Sequence, residues 1–181
     1  RKFRNSGQNC VCDNRLYVHT DVYDAFAEKL IAAVRKLRVG DGLAGVTDQG
    51  PLIDTKALHK VEAHLADAIE HGARIALGGK RHALGGTFFE PTVLLDVDAR
   101  MRMAHEETFG PIAPLLRFHN EEEAIGLANA TEAGLAGYFY TRDLSRAFRV
   151  SEALQCGIVG VNTGLISTEV APFGGIKQSG V

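Results

Sequence analysis

The feature that most narrows the fold is an alternation across residues 112–161. Residues 112–118 read as an apolar strand, 120–130 as a helix, 135–140 as a strand, 144–154 as a helix and 158–161 as a strand. Asn120 stands before three glutamates, which puts a capping side chain and negative charge at the positive end of a helix dipole. Asp143 similarly precedes a helical pattern with apolar Leu144, Phe148 and Leu154. Short strands that alternate with helices build largely parallel sheets covered on both faces. The expected fold class is therefore α/β, as a three-layer α/β/α arrangement.

The first half fits that pattern. Residues 15–18 read as a strand, and Thr20 or Asp21 is placed to cap a helix over 21–37. Val22, Phe26, Leu30, Val34 and Leu37, widened by Ile31, give this helix one apolar face. Gly40 and Gly42 stop it. A second helix over 55–71 turns Leu58, Val61, Leu65 and Ile69 inward, and Gly72 ends it. Its histidines, His59, His64 and His71, do not share one face, so they read as surface residues rather than a metal cluster. Residues 74–77 suit a short strand and 78–86 a glycine-rich loop. Pro91 makes 88–97 an irregular or edge strand. Met101 and Met103 read as packing residues. Asn162 closes the last strand, and the glycine-rich run 163–180 reads as a loop without regular structure.

Size and charge exclude several roles. The 181 residues, 45% apolar and 23% charged, suit a compact domain with its own core. A formal net charge of -2, with dispersed basic residues and 7% aromatics, argues against a nucleic-acid partner. No apolar run approaches the length of a transmembrane helix, and no secretory signal pattern is present, so no membrane role is expected. Three cysteines without framework spacing fit a reducing compartment.

Two of those cysteines, Cys10 and Cys12, sit in the basic, small-residue stretch RKFRNSGQNCVCDNRLYV at residues 1–18. A thiolate is the reactive form of cysteine, and nearby positive charge favours it. Lys2 and Arg4 offer that charge, while Ser6 and Gly7 suggest a flexible approach that leaves backbone N–H groups free for an incoming oxygen. Cys10 is thus a candidate nucleophile. The same pair also suits two small packed thiols. Zinc does not fit, because Cys156 is remote and no histidine follows at ligand spacing, so no metal is expected.

Several motifs together resemble the NAD(P)-dependent aldehyde dehydrogenases. They are FRNSGQNC at 3–10, GPLI at 50–53, FFEPTVL at 88–94, EETFGPIAP at 106–114, GVN at 160–162 and PFGGIKQSG at 172–180. Within that family the CVC pair, an arginine six residues before the nucleophile and a GLIS loop resemble the succinate-semialdehyde dehydrogenases. The resemblance implies a catalytic domain over 1–181, cut at both ends, with the nucleotide-binding domain and the oligomerisation hairpin elsewhere. It implies NAD or NADP as cofactor, Cys10 as the residue forming a thiohemiacetal and then a thioester, and the Cys10 N–H as one oxyanion donor. It implies that Glu107 and Phe109 meet the nicotinamide end of the cofactor, that Arg4 and Ser167 hold a substrate carboxylate, and that Phe173 lines the aldehyde tunnel. Cys12 is a candidate redox partner of Cys10. A homo-oligomer is expected for the whole protein, in the cytoplasm or, behind a transit peptide, in the mitochondrial matrix. Glutarate semialdehyde is the competing substrate, and a noncatalytic binding or assembly module of the same fold is the competing class.

Overall fold

A computed structural model describes residues 1–180. The chain divides into two compact units, Arg1–Phe118 and His119–Val181. The first contains β1 (Leu16–His19), α1 (Tyr23–Val34), α2 (Thr55–Glu70), β2 (Arg74–Leu77), β3 (Thr92–Val97) and β4 (Ile112–Phe118). Its four strands lie in the order β1-β4-β3-β2. β4 is parallel to β1 and to β3, whereas β2 is antiparallel to β3.

Side-chain alternation along β3 and β4 creates a core on each face of this sheet. Leu94, Val97, Ile112 and Leu116 pack with Leu58, Val61, Leu65 and Ala68 of α2. Val93 and Leu115 point the other way and pack with Tyr23, Ala27 and Val34 of α1. The first unit is therefore a three-layer α/β/α sandwich, as the sequence pattern implies. Leu94 and Val97 share a face although they are three residues apart. A bulge makes this possible: the register shifts between them, and Asp96 takes φ 58°. The bulge frees the Asp96 N–H, which donates to Tyr23 Oη at 2.8 Å, while that hydroxyl donates to the Leu115 carbonyl at 3.1 Å.

This use of Tyr23 corrects the face expected of α1. The helix buries Tyr23, Ala27 and Val34, whereas Val22 and Phe26 are 54% and 40% exposed. Small Ala27 lets the helix axis approach the sheet, and the tyrosine supplies a hydroxyl that the bulge needs. Neither Thr20 nor Asp21 caps α1; its N-cap is Val22, and the preceding single turn is held by His19, whose ring nitrogen accepts from the Asp21 N–H. In α2, Ala68 is buried and Ile69 is exposed, the reverse of the expected pattern at its C-terminal end. β3 is an inner strand, not an edge one. Pro91 precedes it, so the missing N–H falls outside the ladder.

The second unit contains α3 (Glu121–Asn129), β5 (Ala133–Gly134), β6 (Ala136–Phe139), α4 (Leu144–Ala153), β7 (Ile158–Val161) and β8 (Ile176–Lys177). β6 and β7 pair in parallel, and β5 and β8 pair antiparallel. β8 lies within the run expected to lack regular structure. It forms because Gly134 and Gly175 admit close backbone contact and Lys177 Nζ donates to the Asn129 and Thr131 carbonyls. Asn120 and Asp143 cap α3 and α4 through their side chains. Glu121 accepts from Arg146 and Arg149, tying the two helices together. α4 buries Val150 and leaves Leu144 and Phe148 72% and 65% exposed, so the stripe expected to be covered is open.

Candidate active site

The cysteine loop is built on a left-handed turn. Asn5, Ser6 and Gly7 have φ of 49°, 56° and 73°, a region that costs any residue with a Cβ. Buried Ser6 is held there by its hydroxyl, which donates to the Gly50 carbonyl at 2.7 Å. The Asn5 side chain donates to the Gln8 carbonyl, and the Gln8 N–H donates to the Asn5 carbonyl at 3.0 Å. A Cβ on Gly7 would lie 2.1 Å from the Gly110 carbonyl oxygen, so this backbone packs directly against the 106–110 segment. The flexible approach expected of Ser6 and Gly7 is instead a fixed turn.

Cys10 emerges from that turn exposed. The Asn9 side-chain oxygen accepts from the Val11 N–H at 3.1 Å and the Asn9 carbonyl from the Cys12 N–H at 2.9 Å. The Cys10 N–H has no acceptor among the described residues. Cys12 is 8% exposed, and its sulfur lies 3.4 Å from the Arg1 carbonyl oxygen and 3.8 Å from that of Arg4. Burial pushes the Cys12 thiol up from its ordinary value. Of the pair, then, one thiol is packed and one is presented. Arg4 is exposed, and its guanidinium makes no ion pair or hydrogen bond among the described residues.

Lys2 does not serve Cys10 as expected. It is 3% exposed and turned inward, where Nζ donates to the Thr108 carbonyl at 3.0 Å and to Asn14 Oδ1 at 3.3 Å. Burial brings its amine down to about 8, opposed by the charges of Cys12, Asp13 and Glu107.

His64 also departs from expectation. It is fully buried rather than superficial, because the α2 face that carries Val61 and Leu65 also carries it toward the 106–110 segment. Nδ1 lies 2.7 Å from Thr108 Oγ1, and Nε2 lies 3.2 Å from Glu106 Oε2. Burial holds the imidazole below its ordinary value. A neutral ring beside an ionised Glu106 requires Nε2–H to donate to the carboxylate and Nδ1 to accept from the threonine hydroxyl. Arg102 and then His64 hold the Glu106 carboxyl down to about 2.

Along this segment side chains alternate. Thr108 and Gly110 are buried, whereas Glu107 and Phe109 are exposed, Phe109 to 38%. Glu107 accepts no hydrogen bond from the described residues. An exposed carboxylate with its acceptor sites open, beside an exposed aromatic, fits the diol and ring of a nicotinamide nucleoside. The first unit thus joins Arg4, Cys10, Glu107 and Phe109 on two loops packed against each other. Ser167 and Phe173 belong to the second unit, on the segment after Asn162; both are exposed, Phe173 to 55%. Asn162 takes φ 55° and clasps Thr141 by two hydrogen bonds, so its side chain serves the strand ends. Among the described residues, no group of three or more His, Cys, Asp or Glu side chains is placed to hold a metal ion, and no helix is long and apolar enough to cross a membrane.

Comparison with known proteins gives the family of the chain. The aldehyde dehydrogenase family model matches residues 1–181. A 3-sulfolactaldehyde dehydrogenase from Pseudomonas putida is 64% identical over 181 residues, covering 99% of this chain and 37% of the relative. A glutarate-semialdehyde dehydrogenase from Pseudomonas aeruginosa is likewise 64% identical over 181 residues, with coverage of 99% and 37%. The crystal structure of succinate-semialdehyde dehydrogenase from Burkholderia pseudomallei superposes with a TM-score of 0.98 at 62% identity, covering 99% of this chain and 37% of that one. The chain thus spans little more than a third of these relatives' length.

Proposed function

This chain belongs to the aldehyde dehydrogenase family, and from that premise we propose that its protein oxidises a short aldehyde bearing an anionic group at the far end, with succinate semialdehyde as the leading substrate. The observation that carries the reading is the pairing of an exposed Cys10, its N–H open, with an unpaired Arg4 on the same fixed turn. In this reading the chain is the cysteine-bearing catalytic domain, and the nucleotide-binding domain and oligomerisation hairpin belong to other parts of the protein.

Cys10 Sγ adds to the aldehyde carbon, and the carbonyl oxygen becomes an alkoxide within reach of the open Cys10 N–H. Bound NAD(P)⁺ would supply the hydride acceptor that takes the resulting thiohemiacetal to a thioester, from which water would release the carboxylate product and free Cys10. Glu107 would hold the nucleotide by accepting hydrogen bonds from its ribose hydroxyls, with Phe109 packed beside them. Cys12 stays out of the chemistry as a packed thiol whose remaining role is to pair with Cys10 on oxidation.

Arg4 supplies a fork of donors for the substrate's anionic end, Ser167 adds a hydroxyl and Phe173 an apolar wall. Relatives of equal or nearly equal identity are named for succinate semialdehyde, glutarate semialdehyde and 3-sulfolactaldehyde, which supports an anion as the shared feature and makes glutarate semialdehyde the second reading. One methylene in an apolar pocket is worth only about 1–3 kcal/mol. The protein is further proposed to be a homo-oligomer in the cytoplasm or mitochondrial matrix.

The test uses the complete native chain with NAD⁺ and NADP⁺. Succinate semialdehyde should support nucleotide reduction, Cys10→Ala should abolish it, and a trapped acyl group should map to Cys10. Arg4→Leu should lower kcat/KM for succinate semialdehyde by about tenfold or more relative to an uncharged aldehyde of the same length. Equal losses on both substrates would remove the case for anion recognition, and inactivity of the folded protein on every aldehyde would end the enzyme reading.

A further inference from the structure

Thr108 stands between the two exposed side chains, Glu107 and Phe109, and is itself 1% exposed. Each of its polar groups has a partner from a different part of the first unit. Its N–H donates to Asn14 Oδ1 at 3.1 Å, its carbonyl accepts from Lys2 Nζ at 3.0 Å, and its hydroxyl donates to His64 Nδ1 at 2.7 Å. Lys2 also donates to Asn14, which closes the arrangement on itself. Lys2 and Asn14 bracket the residues that include Cys10, so the anchors of Thr108 are also the two ends of the nucleophile's loop. Close backbone packing adds to this: a Cβ on Gly7 would meet the Gly110 carbonyl oxygen at 2.1 Å, and one on Gly110 would meet Val61 Cγ2 at 2.3 Å. The 106–110 segment is therefore clamped between the cysteine loop and α2.

We propose that Lys2 and Thr108 are positioning residues that hold the cofactor-facing pair, Glu107 and Phe109, in register with Cys10. The inference rests on the reading of that pair as the nicotinamide contact, and neither residue touches substrate or cofactor. A buried ammonium is costly to desolvate, and an apolar side chain of similar length would fill the same volume. What the ammonium adds is a tie between the cysteine loop and one peptide carbonyl 106 positions away in sequence, a carbonyl that otherwise accepts only from the Gly110 N–H of its own segment at 2.8 Å among the described residues. The two peptide planes that flank Thr108 are each tied down, the one before it through its N–H to Asn14 and the one after it through its carbonyl, which accepts from Lys2 and from the Gly110 N–H. Glu107 and Phe109 are thereby held at a fixed offset from the Cys10 turn. Two reactants brought together on loops must keep that offset, since a misplacement of about 1 Å can lower a rate by roughly 100-fold.

The experiment uses the complete native chain with Lys2→Met, which keeps the length and removes the charge, and Thr108→Val, which keeps the shape and removes only the hydroxyl bond. The readouts are the Kd of NADH and NADPH by fluorescence titration, KM for nucleotide and for aldehyde, and alkylation of Cys10 by iodoacetamide with and without nucleotide. Lys2→Met should raise nucleotide Kd and KM by about tenfold or more, with aldehyde KM changed by less than about twofold, and should weaken nucleotide protection of Cys10. Thr108→Val should move the same quantities in the same direction by less. Should Lys2→Met fail to fold, Thr108→Val decides. Folded variants that bind nucleotide as the wild type does, or that lose affinity for both substrates equally, would overturn the proposal. A wild-type protein that binds neither nucleotide would instead defeat the functional reading on which it rests.

Discussion

At the scale of single residues, burial separates two cysteines that the sequence presents side by side. Cys10 is exposed, whereas Cys12 is 8% exposed with its thiol pushed up by burial, so at neutral pH Cys12 is protonated and shielded. Iodoacetamide should therefore label Cys10 first, and peptide mapping at short times should find little label on Cys12; early label on Cys12 would show that the loop opens. Cys12→Ala should cost only about 1 kcal/mol of stability, read from denaturant unfolding, because it trims one buried sulfur. Cys10 was legible as a candidate because its signal is local: a cysteine among basic and small residues. Lys2 and His64 were not. Their partners lie 106 and 44 positions away, so no charge count reveals that Lys2 faces the Thr108 carbonyl, and although His64 shares the helix face of Val61 and Leu65, a helical wheel does not reveal that Thr108 waits for it there. Ser6 and Gly7 were read as slack for the same reason, since their conformation is fixed by Gly50 and Gly110.

Among elements, the turn before Cys10 and the 106–110 segment form one interlocked piece, and its weak points can be named. Gly7→Ala places a methyl against the Gly110 carbonyl at a left-handed φ, with two penalties at one site. A loss of about 2–4 kcal/mol is expected, measured by urea unfolding, and a near-neutral substitution would mean that the two loops separate readily. The same piece senses acid. The folded His64 titrates below its ordinary 6.5, so as pH falls through 6.5 the unfolded chain takes up a proton that the folded chain refuses, and stability declines. Glu106 acts lower down: held at about 2 against an ordinary 4.5, it contributes stability above 4.5 that is lost as pH falls toward 2. Thermal unfolding followed from pH 7.5 to 2 should show the first decline beginning near 6.5, and His64→Gln should remove that limb while keeping the lower one. Elements were largely legible, since apolar periodicity located α1 to α4 and the main strands, and the capping residues Asn120 and Asp143 fixed the starts of α3 and α4. The rotated face of α1 was not, because Tyr23 is selected by the bulge at Asp96, whose free N–H depends on the register of β3 against β4.

For the whole molecule, the alternation of strand and helix does not reveal that β4 closes one unit and β6 and β7 belong to another, because both units use the same pattern of short strands and capped helices. What the alternation does predict is that each helix has an apolar side to cover, and two helices leave part of theirs open. On α1 and the turn before it, Val22 and Phe26 are exposed four positions apart, and on α4 Leu144 and Phe148 repeat that spacing. Contiguous exposed apolar surface is uncommon on soluble monomers and favours association. Such faces are natural seats for a second copy, in keeping with the homo-oligomer proposed above. The 181-residue chain on its own should therefore associate weakly and without a fixed stoichiometry. Light scattering coupled to size-exclusion chromatography should give an average mass that climbs with concentration, and Phe26→Glu or Phe148→Glu should flatten that rise by placing a charge in the apolar stripe. A stable closed oligomer of the short chain would show that its own surface suffices for assembly, and a strict monomer at every concentration would show that these stripes are too small to drive it.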